Sequence, residues 1–185
     1  MEIETKRLLL RPFKKEDASD LFEYLHEPLK DCFASMKLET SEDAKNEIEK
    51  RISRKDFLFA IVLKENTKVI GEIDALEETS QPDKNEKAPK DTFSPYWMLN
   101  KNYQRKGYGY EAAHAFFDYL FNEKGARRIY AYTEDTNNSS QRLCEKLGMR
   151  KEGEFKEYIS FVNNEDGTPK YENTFQYAIL KKEWK

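Results

Sequence analysis

The stretch that decides the fold runs from Tyr96 to Ala113 and reads YWMLNKNYQRKGYGYEAA. Its first four residues are apolar or aromatic and predict the end of a strand at Leu99. A polar segment and a Gly-x-Gly pair follow, and after them apolar residues recur at helical spacing, namely Ala112, Ala113, Phe116, Phe117, Leu120 and Phe121. The stretch is therefore predicted to form a strand, a loop and a helix.

The start of this predicted helix is suited to an anion. The first N–H groups of a helix have no partner within the helix, and the peptide dipoles place partial positive charge there. Gly107 and Gly109 leave those N–H groups open, and Arg105 and Lys106 add positive charge beside them. The pattern favours a phosphate or diphosphate ligand, and the alternative is a loop in which glycine only relieves backbone strain.

Two common nucleotide motifs do not fit this loop. A P-loop needs Gly-Lys followed by Ser or Thr, and that sequence is missing after Gly109. The dinucleotide pattern Gly-x-Gly-x-x-Gly also fails, because residue 112 is Ala. Nucleoside triphosphate chemistry is therefore disfavoured.

Composition narrows the class of protein. The 185 residues predict one domain over residues 1–185, and 32 basic against 35 acidic side chains give a net charge of −3. This balance favours neither direct nucleic-acid binding nor an anionic membrane, and a small cation is the easier partner. Two cysteines, a charged N-terminus and apolar runs too short to span a bilayer predict a cytoplasmic protein without membrane attachment, and two histidines disfavour a metal site.

A predicted β-hairpin, made of residues 56–64 and 67–76, carries two carboxylates. Alternation along the second strand places Ile70, Glu72 and Asp74 on one face. Such a face is either solvated or the wall of a cleft that holds a cationic amine and removes its proton. The following segment, Glu77 to Asp91, is almost free of hydrophobic residues and is predicted to be a mobile loop, either a lid or a surface insertion.

Four stretches carry a resemblance to a known family. Gln104-x-x-Gly107-x-Gly109, between a strand and a helix, resembles the acyl-coenzyme A diphosphate loop of the GNAT superfamily of N-acetyltransferases. The segment from Thr5 to Pro12 resembles the first strand of the subgroup that acetylates ribosomal-protein N-termini. NNSSQRLCEKLGM, from Asn137 to Met149, resembles the second family motif, and YAILKKEW, from Tyr177 to Trp184, resembles the closing strand.

The resemblance implies a fold and a cosubstrate. The fold is α+β, with a mixed, mostly antiparallel twisted sheet of about seven strands flanked by helices. The cosubstrate is acetyl-coenzyme A, with no metal, and the implied binding residues are Met98, Leu99, Gln104, Arg105, Lys106, Gly107, Tyr108, Gly109, Asn137 and Ser140. In the family the exposed backbone near Met98 and Leu99 pairs with the pantetheine arm. Helix capping accounts for a Ser at the start of this motif but leaves the spacing from Asn137 to Ser140 unexplained.

Two departures from the family bear on catalysis. Many relatives have Glu-x-Gly-Tyr-Trp where this chain has Phe93-Ser-Pro-Tyr-Trp, and a Tyr where this chain has Cys144. Pro95 also indicates a bulge or an edge position. The general acid is therefore assigned to Ser140 or a water that it holds. The candidates for the general base are Glu72 and Glu157, the latter from the final pair of β-rich segments.

The predicted function is direct transfer of acetyl from acetyl-coenzyme A to a primary amine, either a protein N-terminal α-amine or a small-molecule amine. The alternative is a noncatalytic acyl-coenzyme A-binding or regulatory domain that kept the loop and lost the acid and base. A nucleic-acid-binding module is disfavoured by the charge balance. The sequence identifies neither the acceptor nor the choice between monomer and homodimer.

Overall fold

In the part of the chain that the structure describes, eight strands form one sheet: β1 (Ile3–Glu4), β2 (Leu8–Arg11), β3 (Phe59–Leu63), β4 (Val69–Glu78), β5 (Thr92–Leu99), β6 (Arg128–Glu134), β7 (Arg150–Asn163) and β8 (Pro169–Leu180). The structure, a computed structural model, describes residues 1–54, 57–80 and 89–185. The strands lie in the order β1-β2-β3-β4-β5-β6-β8-β7. β5 and β6 are parallel, and the other neighbouring strands are antiparallel.

Within these ranges four α-helices cover the two faces of the sheet: α1 (Ala18–Leu25), α2 (Ser41–Ser53), α3 (Tyr108–Asn122) and α4 (Asn138–Lys146). α1 and α2 contribute to one apolar cluster, and α3 contributes to the other together with the C-terminal part of α4. α2 starts with a capping box, in which the Asp43 N–H donates to Thr40 Oγ1 at 3.2 Å and the Thr40 N–H donates to Asp43 Oδ2 at 2.8 Å. None of the helices in the described ranges is long and apolar enough to cross a membrane.

The predicted α+β fold with a mixed, mostly antiparallel sheet of about seven strands is confirmed, and the described residues form eight strands. The additional strand is β1, which has two residues and therefore no alternation that a sequence could show. The loop predicted from Glu77 begins later, because Glu77 and Glu78 still pair with Phe93 and Thr92. Residues 81–88 of that predicted loop lie outside the described residues.

A register shift changes the face on which one residue of β4 lies. The β3–β4 pairing moves from Ile61 opposite Gly71 to Val62 opposite Val69, so Ile70 has no partner on β3. Ile70 consequently belongs to the same apolar cluster as Ile73, on the face of α3. The prediction that Ile70 shares a face with Glu72 is therefore wrong.

The two parallel strands separate soon after they meet. In the described part of the sheet, β5 and β6 pair at two positions, Thr92 with Arg128 and Phe93 with Ile129. β5 remains in continuous register with β4 as far as Leu99, so Pro95 lies at no bulge on that side. Beyond Phe93 the edge of β5 that faces β6 is open, and a gap forms between the C-terminal halves of these strands.

Candidate active site

The loop before α3 has the geometry of an open helix start. Gly107 is the N-cap residue with φ 83°, a left-handed conformation that favours glycine, and its carbonyl accepts from the Glu111 N–H at 3.1 Å. The role predicted for Gly109, leaving the helix N–H groups open to a ligand, stays a prediction, and the structure adds a packing role. A Cβ at Gly109 would lie 3.3 Å from Leu99 Cδ1 and 3.9 Å from Leu143 Cδ2, so the missing side chain permits close packing beneath the helix.

Arg7, which lies between β1 and β2, holds this loop in its conformation. Its Nε donates to Glu111 Oε2 at 2.6 Å and its Nη1 to the Lys106 carbonyl at 3.0 Å, while its guanidinium lies 4.4 Å from the centre of the Tyr108 ring. In a trans peptide the C=O and the following N–H point in opposite directions. Because Arg7 binds the Lys106 carbonyl, the Gly107 N–H points away from Arg7 and toward the outside of the loop.

The remaining loop residues keep positive charge at the surface. Arg105 and Lys106 are exposed, and the Lys106 ammonium lies 5.2 Å from the centre of the Tyr103 ring. Gln104 Nε2 donates to the Leu99 carbonyl at 3.1 Å and so ties the loop to the end of β5. The arrangement of open N–H groups and exposed cations fits an anionic group such as a diphosphate.

The two predicted backbone contacts on β5 face different edges. The Asn100 N–H donates to the Ile70 carbonyl at 2.8 Å, and a Cβ built on Gly71 would lie 2.1 Å from the Met98 carbonyl oxygen. Residues of even number on β5 therefore direct their main-chain groups at β4, because successive residues of a strand alternate between its two edges. The main chain of Leu99 faces the gap, whereas that of Met98 faces β4.

A cavity of about 360 Å³ lies in the gap between β5 and β6. Side chains from β5, β6, β7 and the start of α4 line it, among them Tyr96, Trp97, Tyr132, Glu134, Asn137 and Ser140. The cavity thus brings together the predicted residues of the second family motif and the aromatic pair on β5. Its position at the carboxyl ends of two diverging parallel strands is a common place for ligand binding in mixed sheets.

Ser140 is held at the wall of this cavity by Trp97. The Trp97 Nε1–H donates to Ser140 Oγ at 3.3 Å, and the Ser140 N–H donates to Asn137 Oδ1 at 3.3 Å. Asn137 is the N-cap of α4 and also donates from Nδ2 to Glu134 Oε2 at 3.0 Å. Capping therefore does explain the spacing of three from Asn137 to Ser140, contrary to the reading of the sequence.

Glu72 is fully buried rather than solvated. Its carboxylate accepts from the Tyr24 hydroxyl at 2.8 Å, from Arg51 Nε at 2.9 Å and Nη2 at 3.2 Å, and from the Tyr96 hydroxyl at 3.0 Å. Asp74 is 2 % exposed, and burial raises its pKa even though it pairs with Arg54. The interpretation of this strand face as solvated is wrong. Four donors use the lone pairs of Glu72, and it is the Tyr96 ring that reaches the cavity.

Three other positions named by the sequence lie away from the cavity wall. Glu157 is exposed on β7, with φ 47° in an irregular part of the β7–β8 pairing, and the β7 side chains that line the cavity include those of Tyr158 and Phe161. Phe93 and Cys144 are both buried in the cluster that contains α3. Burial raises the pKa of the Cys144 thiol to about 12, and because this thiol is packed in that apolar cluster and does not line the cavity, it does not take the place of the Tyr of other family members.

Sequence reasoning overlooked two residues that the structure brings to the site. Glu134 is the last residue of β6 and lines the cavity, and Arg7 binds the loop before α3. Glu134 had a recognisable signal, because it directly precedes the polar turn that caps α4. Arg7 had a weaker one, since its partner Glu111 is 104 residues away in the chain.

Comparisons with known proteins agree with this architecture. The profile of the family described as acetyltransferase (GNAT) domain matches residues 7–150. The Bacillus subtilis (strain 168) protein named "Uncharacterized N-acetyltransferase YnaD" is 33% identical over 184 residues, which cover 100% of this chain and 99% of the relative. The crystal structure of a GNAT-family acetyltransferase from Bacillus anthracis superposes with a TM-score of 0.83 at 31% identity, covering 99% of this chain and 100% of that one.

A more distant structure shares the fold. The ribosomal-protein-S5-alanine acetyltransferase from Vibrio fischeri superposes with a TM-score of 0.73 at 23% identity and covers 100% of this chain and 99% of its own. The family profile and the two closer relatives confirm the resemblance found in the loop and in the second motif. The chain belongs to the GNAT family of N-acetyltransferases.

Proposed function

We propose that the protein transfers an acetyl group from acetyl-coenzyme A to a primary amine. The observation that carries this proposal is the gap between β5 and β6, which opens beside the Gly107 loop and contains Ser140 and Trp97. A gap of this kind admits an extended ligand along an open strand edge while the loop binds its anionic part.

The residues present fit the coenzyme at both of its polar parts. The Gly107 N–H points outward from the loop, and Arg105 and Lys106 are exposed beside it, which suits the diphosphate. The main chain of Leu99 faces the gap and can pair with an amide of the pantetheine arm. The coenzyme supplies an acyl thioester, and the chain supplies its placement next to the amine.

The transfer needs a proton acceptor for the amine and a proton donor for the thiolate. The amine nitrogen forms a bond to the acetyl carbon, the C–S bond breaks, and the ammonium form must first lose a proton. We assign the donor role to Ser140 or a water that it holds. Ser140 Oγ accepts from the Trp97 Nε1–H, so its own hydroxyl hydrogen is available to the departing sulfur.

The two base candidates are served differently by the structure. Glu72 orients the Tyr96 hydroxyl at 3.0 Å, so its route to an amine in the cavity passes through that hydroxyl. Glu157 is exposed and acts only through water or after a movement of β7. Replacing each by Gln and measuring the acetyl-transfer rate against pH separates them. The variant whose pH–rate profile changes at alkaline pH identifies the residue that accepts the amine proton, and a variant with an unchanged profile is removed from the list.

The acceptor belongs to the class of primary amines. The fold shared with a ribosomal-protein alanine acetyltransferase supports a protein N-terminal α-amine, and the cavity volume of about 360 Å³ is equally compatible with a small amine. Both classes react through a primary amino group, so an assay with members of each class is needed to distinguish them.

The test is amine-dependent release of free thiol from acetyl-coenzyme A, using a panel of small amines and N-terminal peptides. Ser140→Ala should lower kcat by about a hundredfold or more and change the coenzyme Kd much less, as expected for a lost proton donor. Ser139→Ala is the matched control, because its hydroxyl donates to Asn137 Oδ1 at 3.0 Å and does not line the cavity. Coenzyme binding without thiol release for any amine would instead support the noncatalytic alternative.

A further inference from the structure

A buried carboxylate lies in the wall of the cavity, and no Lys, Arg or His in the described part of the chain forms an ion pair with it. Glu134 is 8 % exposed, its carboxylate accepts from the Asn137 amide at 3.0 Å, and the Cys32 thiol is close enough for Glu134 to affect its pKa. Burial, and then the hydrogen bond to Glu134, raises the pKa of the Cys32 thiol, which keeps its proton. Among the described residues that line the cavity, Glu134 is the one carboxylate, and neither Lys nor Arg is found.

Neighbouring groups add to this negative charge. Burial raises the pKa of Glu172 on β8, and the nearby carboxylates of Asp31 and Glu134 raise it further. Lys170 lies 2.8 Å from Asp31 and 3.9 Å from Glu172, so its charge is shared at the outer side of the group. The inner carboxylate, Glu134, remains paired with neutral donors, and burying such a charge is costly unless a cation comes to it.

The other walls of the cavity are aromatic. Trp97 and Tyr96 line it from β5, and Tyr132 and Tyr158 from β6 and β7, with the last two ring centres 5.8 Å apart. Aromatic faces attract cations and accommodate apolar bodies. A carboxylate set among such rings matches an ammonium group attached to an apolar or aromatic body.

We propose that Glu134 binds the ammonium group of the acceptor and that the acceptor is an amine whose carbon carries no carboxylate, with an apolar or aromatic body packed against the rings. This inference rests on the proposed acetyl transfer and narrows its substrate class. Free amino acids are excluded, because their carboxylate would lie beside Glu134, where like charges repel. Arylalkylamines, and peptide N-termini with an apolar side chain, fit the same description.

The test compares tyramine with L-tyrosine, which share the ring and differ by the carboxylate, and includes L-tyrosinamide, in which that carboxylate is neutral. For the wild type, kcat/KM should be at least tenfold higher for tyramine and tyrosinamide than for tyrosine. In Glu134→Gln this ratio should fall at least tenfold, chiefly through a higher KM for tyramine. Glu134→Asp should restore part of the preference, since it keeps the charge.

Glu145→Gln is the control, because Glu145 is an exposed carboxylate on α4 that does not line the cavity, and this variant should keep the wild-type ratio. Equal use of tyrosine and tyramine by the wild type would overturn the inference even if the Gln variant does not fold. An unchanged ratio in a folded Glu134→Gln would also overturn it. Failure of the proposed function looks different, since the wild type would then release no thiol with any amine.

Discussion

Removing Arg7 should weaken coenzyme binding far more than it weakens the fold. Arg7 Nη1 holds the Lys106 carbonyl at 3.0 Å and thereby aims the Gly107 N–H outward. Without this bond the Lys106–Gly107 peptide is free to rotate, since glycine permits many backbone conformations. The coenzyme diphosphate then loses one main-chain donor. A hydrogen bond to a charged group contributes about 1.5–3 kcal/mol, which is roughly a tenfold to hundredfold rise in Kd for Arg7→Ala.

The cost to stability is expected to be smaller. The Arg7 side chain is 42% exposed, and its ion pair with Glu111 is screened by solvent, so the free energy of unfolding should fall by about 1 kcal/mol or less. Lys64→Ala is a matched control. Lys64 Nζ donates to Glu4 Oε2 at 3.2 Å and to the Thr5 carbonyl at 3.1 Å, and so holds the same N-terminal segment without touching the loop.

Calorimetry with coenzyme A and with dephospho-coenzyme A measures the effect. Both ligands carry the diphosphate, so Arg7→Ala should weaken both by the same factor, and Lys64→Ala should weaken neither. If Arg7→Ala weakened the binding of coenzyme A alone, Arg7 would contact its 3′-phosphate, the group that dephospho-coenzyme A lacks. The proposal that Arg7 orients the Gly107 N–H would then be refuted. An unchanged Kd for both ligands in Arg7→Ala would refute it as well.

Three further outcomes follow from buried or strained contacts. Gly71→Ala would place a Cβ 2.1 Å from the Met98 carbonyl oxygen and should lower the free energy of unfolding by about 3 kcal/mol, measured by urea denaturation. Arg51→Met leaves the fully buried Glu72 without its cation and should cost about 3–5 kcal/mol in the same experiment, a loss that Arg51→Met combined with Glu72→Gln should partly restore. Burial alone would raise the pKa of Glu111, but its hydrogen bonds lower it, so its stabilisation is complete above the unfolded value of about 4.3 and is lost as pH falls through the lowered pKa. Glu111→Gln should therefore be less stable than the wild type at neutral pH and equally stable in acid, and a constant difference across pH would contradict this.

Local chemistry made much of the fold predictable. The glycine at 107 lies where the sequence placed the start of α3, and the cap at Thr40 likewise depends only on residues a few positions apart. These features needed no knowledge of the tertiary structure, and they include the loop that resembles the family.

Contacts between distant segments were not predictable in this way. Glu72 is buried because Tyr24, 48 residues earlier, and Arg51, 21 residues earlier, reach it from α1 and α2. Ile70 departs from simple alternation because β3 and β4 shift register beside it. The chemistry of the cavity likewise depends on Cys32 and Glu134, which are far apart in sequence and which no local pattern connects.

Pro95, which stands where many family members have Gly, helps to explain why the cavity between β5 and β6 is open. Phe93 pairs with Ile129 on β6, and main-chain groups alternate along a strand, so the nitrogen of Pro95 faces the same edge. Proline has no N–H to donate there, and the β5–β6 pairing has already ended at Phe93. On the other edge the pairing with β4 continues to Leu99, since that edge is served by residues of even number that keep their N–H groups. Proline would weaken a strand that is paired on both edges, but Pro95 is tolerated because the N–H that it lacks would face the gap. The proline that stands here in place of the usual glycine therefore favours an open cleft and does not argue against an acetyl-transfer site.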